Sequence, residues 1–261
     1  MSKFGDDQEV LATNQRRPMG MAIFDAEIYW TNIGDGTVMG MTSDGKALRV
    51  LASGQGLPIA VAVDSESVYW TVMLNPESDI PEGKVVKAPK GGGSVTVLAD
   101  KQPIGMSTGA LSINGSNLYL ATARGIARIS VQGGSPVIFQ RESADWVLVR
   151  GGELLLETIP EACFRLCPPG AGSSIIRMPL QGGLVTTIVT LTSSASGIGV
   201  DKDSIYWIQD GTISAVPRKG GSVERLHSGG DVARMAVDED GVFWTSSEGT
   251  IVRLAPKNIQ R

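Results

Sequence analysis

Three side chains in this chain, Trp146, Glu157 and Arg234, are of the types needed to hold a small polar ligand. An aromatic plate, a carboxylate and a guanidinium that meet at a concave mouth can bind a polar ring or an acidic molecule. If Glu157 is desolvated beside Trp146, it can also act as a general acid or base while Arg234 stabilises an anion. The alternative is structural, with Trp146 and Arg234 plugging a channel and Glu157 as their salt-bridge partner.

Other residues are predicted to contribute to ligand binding at the same mouth. They are Asp145, Arg165, Arg124, Asn32 and Gln209.

A metal site is not expected. Oxygen-ligated metals need several carboxylates or amides that converge, and the inner positions that would carry them are mostly Gly, Ala or Ser. The single histidine, His227, falls on a predicted outer strand, which excludes a Ser-His-Asp or Cys-His arrangement at the mouth. We therefore predict no metal and no cofactor.

Two cysteines, Cys163 and Cys167, form a C-x-x-x-C pair in a long predicted loop. Two thiols without a nearby histidine cannot complete a tetrahedral zinc site, so we predict a local disulfide that holds Arg165 in place. A disulfide would favour a secreted or periplasmic location. Two free thiols in a cytosolic protein are the alternative, and the location is otherwise open.

The composition limits the class of protein. The 261 residues include 33 glycines, only 19% are charged, and the net charge of −4 is spread without a basic patch, so nucleic acid is not an expected partner. No apolar run approaches the roughly 18 residues that a membrane-spanning helix needs. We expect a monomer with one domain over residues 1–261.

A repeat organises the positions of these residues. The stretch AVAVDSESVYWT (60–71) returns as GIGVDKDSIYWI (197–208) and RMAVDEDGVFWT (234–245). Alternating apolar residues, aromatic pairs and Gly-rich turns predict four short strands in each copy. The aromatic pairs align as Tyr29-Trp30, Tyr69-Trp70, Tyr119-Leu120, Leu155-Leu156, Tyr206-Trp207 and Phe243-Trp244, and the residues that end the preceding strand align as Phe24, Asp64, Asn114, Arg150, Asp201 and Asp238.

The ends of the chain indicate how the repeats close. VLATNQ (10–15) matches VLASGQ (50–55), so the chain starts with a fourth strand and finishes after a third one. If the first strand, at about 9–13, completes the last sheet, no edge is left unpaired. The sequence thus predicts an all-β six-bladed β-propeller with four-stranded antiparallel blades. The blades span about 18–55, 56–102, 103–141, 142–192, 193–228, and 229–256 with 8–15.

The motifs YWTN (29–32), YWTV (69–72) and FWTS (243–246) resemble those of YWTD-type six-bladed propellers. The lead-in from Pro58 to Asp64 is similar to that of NHL-repeat propellers. The resemblance extends from Val10 to Leu254 and weakens in the third and fourth copies. It implies a propeller whose relatives include receptor modules, scaffolds, lactonase-like metal enzymes and lyases, so it leaves the function open.

Copies that break the repeat indicate where function lies. The first inner-strand position, expected to face the channel, is small except at Trp146 and Arg234. The aligned residues are Gly20, Ala60, Ala110, Trp146, Gly197 and Arg234. Long insertions at 72–83 and 157–173 leave from the same end and can overhang it.

These observations favour a protein that binds a small polar or anionic molecule, or a protein partner, at the mouth where the inner strands begin. A metal-independent enzyme, such as a lyase, isomerase or hydrolase using Glu157 and Arg234, is the alternative. A lactonase-like metal enzyme is a third reading, less supported by the residues.

Overall fold

The computed structural model of the chain describes residues 4–78, 81–104, 111–122, 125–140, 144–158 and 172–256. Within these ranges the regular elements are 24 strands, paired into six four-stranded antiparallel sheets. Among the described residues, no helix has the length and apolarity that crossing a bilayer would require.

The predicted six-bladed propeller with four-stranded blades is confirmed. Each blade runs from an inner strand at the channel to an outer strand at the rim. Blade 1 contains β2 (Pro18–Phe24), β3 (Glu27–Asn32), β4 (Thr37–Thr42) and β5 (Arg49–Ala52); blade 2 contains β6 (Leu57–Val63), β7 (Ser67–Met73), β8 (Glu82–Pro89) and β9 (Thr96–Pro103); blade 3 contains β10 (Leu111–Asn114), β11 (Asn117–Thr122), β12 (Gly125–Ser130) and β13 (Val137–Gln140). Blade 4 contains β14 (Ala144–Arg150), β15 (Glu153–Thr158), β16 (Ser174–Pro179) and β17 (Thr186–Thr190); blade 5 contains β18 (Gly197–Val200), β19 (Ser204–Gln209), β20 (Thr212–Pro217) and β21 (Glu224–Ser228); blade 6 contains β22 (Arg234–Val237), β23 (Val242–Thr245), β24 (Ile251–Pro256) and β1 (Phe4–Ala12).

The ring closes through β1, as the repeat alignment predicts. β1 lies antiparallel to β24, with Val10 opposite Val252. The segment that follows is fastened to blade 1, because Gln15 Oε1 accepts hydrogen bonds from Trp30 Nε1 and Asn32 Nδ2, each at 3.1 Å. Both termini of the repeat are therefore held in one sheet.

The second strand of each blade packs on both of its neighbours. In blade 2, Trp70 is buried in one cluster with Val38 and Leu51 of blade 1. Tyr29, on the second strand of blade 1, belongs to the same cluster. Each Trp removes roughly 150–250 Å² of surface from water, which makes these residues large contributors to the core. The repeated Trp residues pack between blades in four of the copies, at Trp30, Trp70, Trp207 and Trp244.

Glycine pairs make the turns between third and fourth strands. Gly92 has φ of +87° and Gly93 has φ of +134°, in the region that favours glycine, and Gly92 N donates to Pro89 O at 2.8 Å. The same bond joins Gly182 to Pro179 and Gly220 to Pro217, at 2.9 Å in each case. The recurring P-x-x-G motif therefore forms a turn in which a residue with a Cβ atom at the glycine position would be strained.

Residues of the innermost strands pack against neighbouring blades as well as lining the channel. A Cβ atom added to Gly20 would lie 2.3 Å from the Ile59 carbonyl oxygen in blade 2. Ser112 of blade 3 accepts a hydrogen bond from Val149 N of blade 4 at 2.9 Å. The prediction that the first inner-strand position faces the channel is therefore wrong for Gly20, whose Cβ position is directed at the inner strand of blade 2.

Candidate functional site

The axial channel has two different ends. We call the end at which the inner strands begin the loop end, because β7 ends there at Met73 and β15 ends there at Thr158, where the two long sequence insertions follow. We call the end at which the inner strands turn into the second strands, near Asp64, Arg150 and Asp238, the turn end. The mouth predicted from the sequence is at the loop end.

A cavity of about 700 Å³ lies in the channel towards the turn end. Its walls are formed by the inner strands, and its rim by the exposed short turns that follow them. The rim residues are Phe24, Asp25, Asp64, Ser65, Asn114, Gly115, Arg150, Gly151 and Asp238.

Two of the repeated aspartates have their hydrogen-bonding capacity used by their own turns. Asp64 Oδ1 accepts from Glu66 N and Ser67 N at 2.8 Å each, and Oδ2 accepts from Tyr69 Oη at 2.8 Å. Burial and the bond to Asp64 raise the pKa of Tyr69 to about 12. Asp201 repeats the arrangement in blade 5 and is only 1% exposed. These two carboxylates therefore stabilise the turns that follow their strands.

Asp238 departs from this pattern. Its Oδ1 accepts from Asp240 N at 2.8 Å and from Gly241 N at 3.2 Å. The aromatic partner in blade 6 is Phe243, which has no hydroxyl group, so among the described residues Oδ2 receives no turn hydrogen bond. Burial raises the pKa of Asp238, and the nearby Arg150 guanidinium opposes this rise.

Arg150 takes the aspartate position in blade 4, where Leu155 replaces the tyrosine. Its exposed side chain reaches over blade 5, and Nη1 donates to the Val200 carbonyl oxygen at 3.3 Å. A cation and a carboxylate with unused acceptor capacity thus face the same opening from blades 4 and 6.

Trp146 is the deepest cavity-lining residue that blade 4 contributes, one position farther from the rim than the residues of the other blades. It is 9% exposed and packs with Ala195 and Ile198 of blade 5. Of the residues predicted for the site, Trp146 is the one that lines the cavity.

Glu157 lies directly opposite Trp146 in the β14–β15 ladder. It is 0% exposed, and its Oε1 accepts from Ser173 Oγ at 2.7 Å and from Ala195 N at 2.6 Å. Burial raises its pKa to about 7; the two hydrogen bonds oppose the rise, and Asp145 adds to it. Oε2 has no partner among the described residues, which suits a protonated acid.

Glu157 occupies the repeat position of Thr31, and the two residues have related contacts. Thr31 Oγ1 donates to the Ile59 carbonyl in the lead-in to blade 2 at 2.7 Å, and Glu157 accepts from the lead-in to blade 5. Both side chains therefore join their own blade to the next one.

The remaining predicted residues lie at the loop end. Burial raises the pKa of Asp145 and lowers that of Arg234, whose Nη1 donates to Ala233 O at 2.7 Å. Asn32 donates to Gln15 and to Thr37, each at 3.1 Å, and Gln209 contacts Thr192 Oγ1 at 2.9 Å. None of these four lines the cavity.

Arg124, Arg165, Cys163 and Cys167 lie outside the described residues, so their predicted roles stay predictions. Within the described ranges, no group of three or more His, Cys, Asp or Glu side chains is arranged to hold a metal ion.

The sequence contains a signal for Arg150 and Asp238 that its first interpretation leaves unused. The alignment of the aspartate position with the aromatic position five residues later pairs Asp64 with Tyr69 and Asp201 with Tyr206. Blade 4 departs from this pair at both positions, blades 1 and 3 depart at the aspartate position, and blade 6 keeps the aspartate but has Phe243 in place of the tyrosine. A comparison of the two aligned positions together, blade by blade, identifies Arg150 and Asp238 as the residues to examine.

Comparisons with known proteins agree with the fold. No family model matches the chain, and no curated protein sequence matches it. Among solved structures, a glucose dehydrogenase is similar over 96% of this chain and 100% of its own, with a TM-score of 0.72 and 14% identity. A structural-genomics protein from Bacteroides thetaiotaomicron VPI-5482 is similar over 97% of this chain and 73% of its own, with a TM-score of 0.69 and 13% identity.

The tricorn protease is also similar, with a TM-score of 0.70 and 14% identity over 91% of this chain. The match covers only 25% of that protease. At such identities the likeness concerns the fold, and the chain shares a six-bladed propeller with proteins of different activities.

Proposed function

We propose that this protein binds a small polar or anionic molecule in the turn-end cavity of its channel. The observation that carries the proposal is the cavity of about 700 Å³, with Arg150 and Asp238 at its rim. Small-molecule sites are concave, have volumes of about 300–1,000 Å³, and combine apolar walls with a few polar groups.

The walls and the rim of the cavity make different contributions to ligand binding. The inner strands supply aliphatic side chains such as Val61, Val147 and Ile198, which can bury an apolar part of a ligand. Unpaired backbone groups at the strand edges add hydrogen-bond partners, as the Val200 carbonyl already does for Arg150. The rim adds charge, which fixes orientation.

Thermal unfolding against a panel of compounds tests the proposal. The panel contains sugars, sugar acids, hydroxy acids, amino acids, nucleotides and lactones, and a ligand at about 100 times its dissociation constant stabilises the fold by about 2.7 kcal/mol. Sugars are included because a glucose dehydrogenase shares the fold.

A blocked variant separates the cavity from other surfaces. Ser65→Trp places a large ring at the exposed rim, and Ser222→Trp makes the same change at an exposed turn outside the cavity. We expect a compound that stabilises the wild type and Ser222→Trp but not Ser65→Trp. Equal stabilisation of all three proteins would refute the cavity site. If no compound stabilises the wild type, a protein partner at the rim becomes the better reading.

An enzyme that uses Glu157 is the second candidate. The observation in its favour is a carboxyl group opposite Trp146 with a pKa of about 7, suited to proton transfer near neutral pH. Its complete burial favours the structural role that the Thr31 comparison suggests. If a compound from the panel is turned over, the enzymatic reading requires that Glu157→Gln abolishes turnover and preserves affinity.

We also propose that the repeat is of the YWTD or NHL type. The recurrence of the Asp64–Tyr69 and Asp201–Tyr206 hydrogen bonds with a buried Trp supports a shared ancestral unit. The monomeric state expected from the sequence belongs to the same proposal.

A further inference from the structure

We infer that the ligand of the turn-end cavity is an organic acid that also carries a hydroxyl or ammonium group. Its carboxylate binds the Arg150 guanidinium, and its hydroxyl or ammonium group donates to Asp238 Oδ2. This inference rests on the proposed function and deepens it, because it names the class of molecule.

The first step concerns Arg150. A repeat that places Asp, Asn or Phe at this position in the other blades has a cation here, exposed at a cavity rim. The contact between Nη1 and Val200 O holds the side chain across the edge of blade 5. A guanidinium has five N–H donors in a planar fork that matches a carboxylate, so one backbone contact leaves capacity for a ligand.

The second step concerns Asp238. In blades 2 and 5 a tyrosine hydroxyl donates to the second carboxylate oxygen, at 2.8 Å and 2.7 Å. Phe243 removes this donor in blade 6, while the two turn N–H groups still hold Oδ1. The carboxylate is therefore fixed in place with one oxygen available, and a ligand hydroxyl or ammonium group supplies the missing donor.

The third step concerns the rest of the ligand. Below the two charged residues the cavity is lined by inner-strand backbone and by aliphatic side chains such as Val147 and Ile198, down to Trp146. A molecule that places its polar groups at the rim can bury an apolar portion in the channel. This arrangement selects against compounds that are charged at both ends.

The test measures dissociation constants by calorimetry for three matched sets of probes. The first set contains hydroxy acids and amino acids with apolar side chains, the second contains their amides, and the third contains acids of the same length without the hydroxyl or amino group. Hydroxy acids and amino acids are compared separately, which tells the two donor sources apart.

Two variants and one control are measured with each set. Arg150→Gln should weaken binding of the first and third sets at least tenfold and leave the amides unchanged. Asp238→Asn should weaken binding of the first set and leave the third unchanged. Arg128→Gln, a change at an exposed arginine that does not line the cavity, should alter none of the constants.

The outcomes separate this inference from the proposed function. If acids and amides bind equally, or if Arg150→Gln keeps full affinity for the acids, the assignment of the ligand class is overturned. If neutral compounds bind and Ser65→Trp blocks them, the proposed function stands without it. If no compound of any class binds the wild type, both are overturned.

Discussion

Arg150 Nη1 lies 3.3 Å from the carbonyl oxygen of Val200, so a side chain of blade 4 spans the inner edge of blade 5. Inner-strand edges have backbone groups without a sheet partner on the channel side. Arg150 satisfies one of them, and it directs its charge towards the opening that blade 6 borders with Asp238. The contact links the architecture of the ring to the chemistry of the cavity.

Glu157→Gln should change how stability depends on pH. The pKa of Glu157 rises from 4.5 in the unfolded chain to about 7 in the fold. The stabilisation from its proton is therefore complete below about pH 4.5 and is lost as pH rises towards 7. The loss is on the order of 3 kcal/mol, and Gln keeps an acceptor for Ser173 and Ala195 without a titrating group.

Thermal unfolding of wild type and Glu157→Gln between pH 4 and pH 8 checks this prediction. The difference in midpoint should grow in favour of Glu157→Gln as pH rises from about 4.5 to 7. A difference that stays constant across this range would mean that Glu157 does not hold a proton in the fold.

Asp201→Ala should destabilise the protein more than Asp238→Ala. The first change removes three hydrogen bonds from a buried carboxylate, one of them donated by the Tyr206 hydroxyl. The second removes two bonds from a less buried group. We expect a loss of about 3 kcal/mol or more against about 1 kcal/mol, because bonds to charged groups are worth more when buried. Denaturant unfolding measures both values, and equal losses would contradict the distinction.

Gly20→Ala should destabilise the ring by about 1–3 kcal/mol or more. The new Cβ atom would lie 2.3 Å from the Ile59 carbonyl oxygen, so the inner strands of blades 1 and 2 would have to separate. Gly91→Ala is the matched control, because no atom lies within 4 Å of the added Cβ atom. Thermal midpoints compare the two, and a small effect for Gly20→Ala would show that the inner strands adapt.

Gln15→Ala should cost about 1–3 kcal/mol. Its Oε1 accepts from both Trp30 and Asn32, so the substitution leaves Trp30 Nε1 without this acceptor and removes one of the two hydrogen bonds that Asn32 Nδ2 donates. Gln55 is the equivalent residue one repeat later, and its side chain donates only to Ser53 O, at 2.8 Å. Gln55→Ala should therefore have an effect below about 0.5 kcal/mol. Similar losses in the two variants would mean that the Gln15 contacts contribute little.

The sequence predicts the fold well because six aligned copies show the same pattern of strands, which a single copy would leave ambiguous. The pairing of Leu148 with Leu155 in blade 4 matches that of Ala62 with Tyr69 in blade 2, as the alignment requires. Ring closure follows from the offset between VLATNQ and the end of the last copy. Both conclusions depend only on the order and type of strands.

The site was harder to predict because period-two alternation separates the two faces of a strand but does not say what each face meets. Gly20 faces blade 2 rather than the channel. Alternation also does not indicate which end of the channel opens. Trp146 lines the cavity as its type suggests, whereas Arg150 becomes significant only when its position is compared with those of Leu155 and Tyr69.

The pairing of β1 with β24 has a consequence for the order of events during synthesis. Within the propeller, β1 (Phe4–Ala12) is synthesised before the other strands, yet its sheet partner β24 (Ile251–Pro256) is synthesised after all of them. Until then the sixth sheet lacks its outermost strand, and the nascent chain carries an unpaired strand that can associate with other chains. A contact of such long sequence separation also slows folding. Rapid closure of the ring therefore depends on how close to each other the first five blades hold β1 and β24.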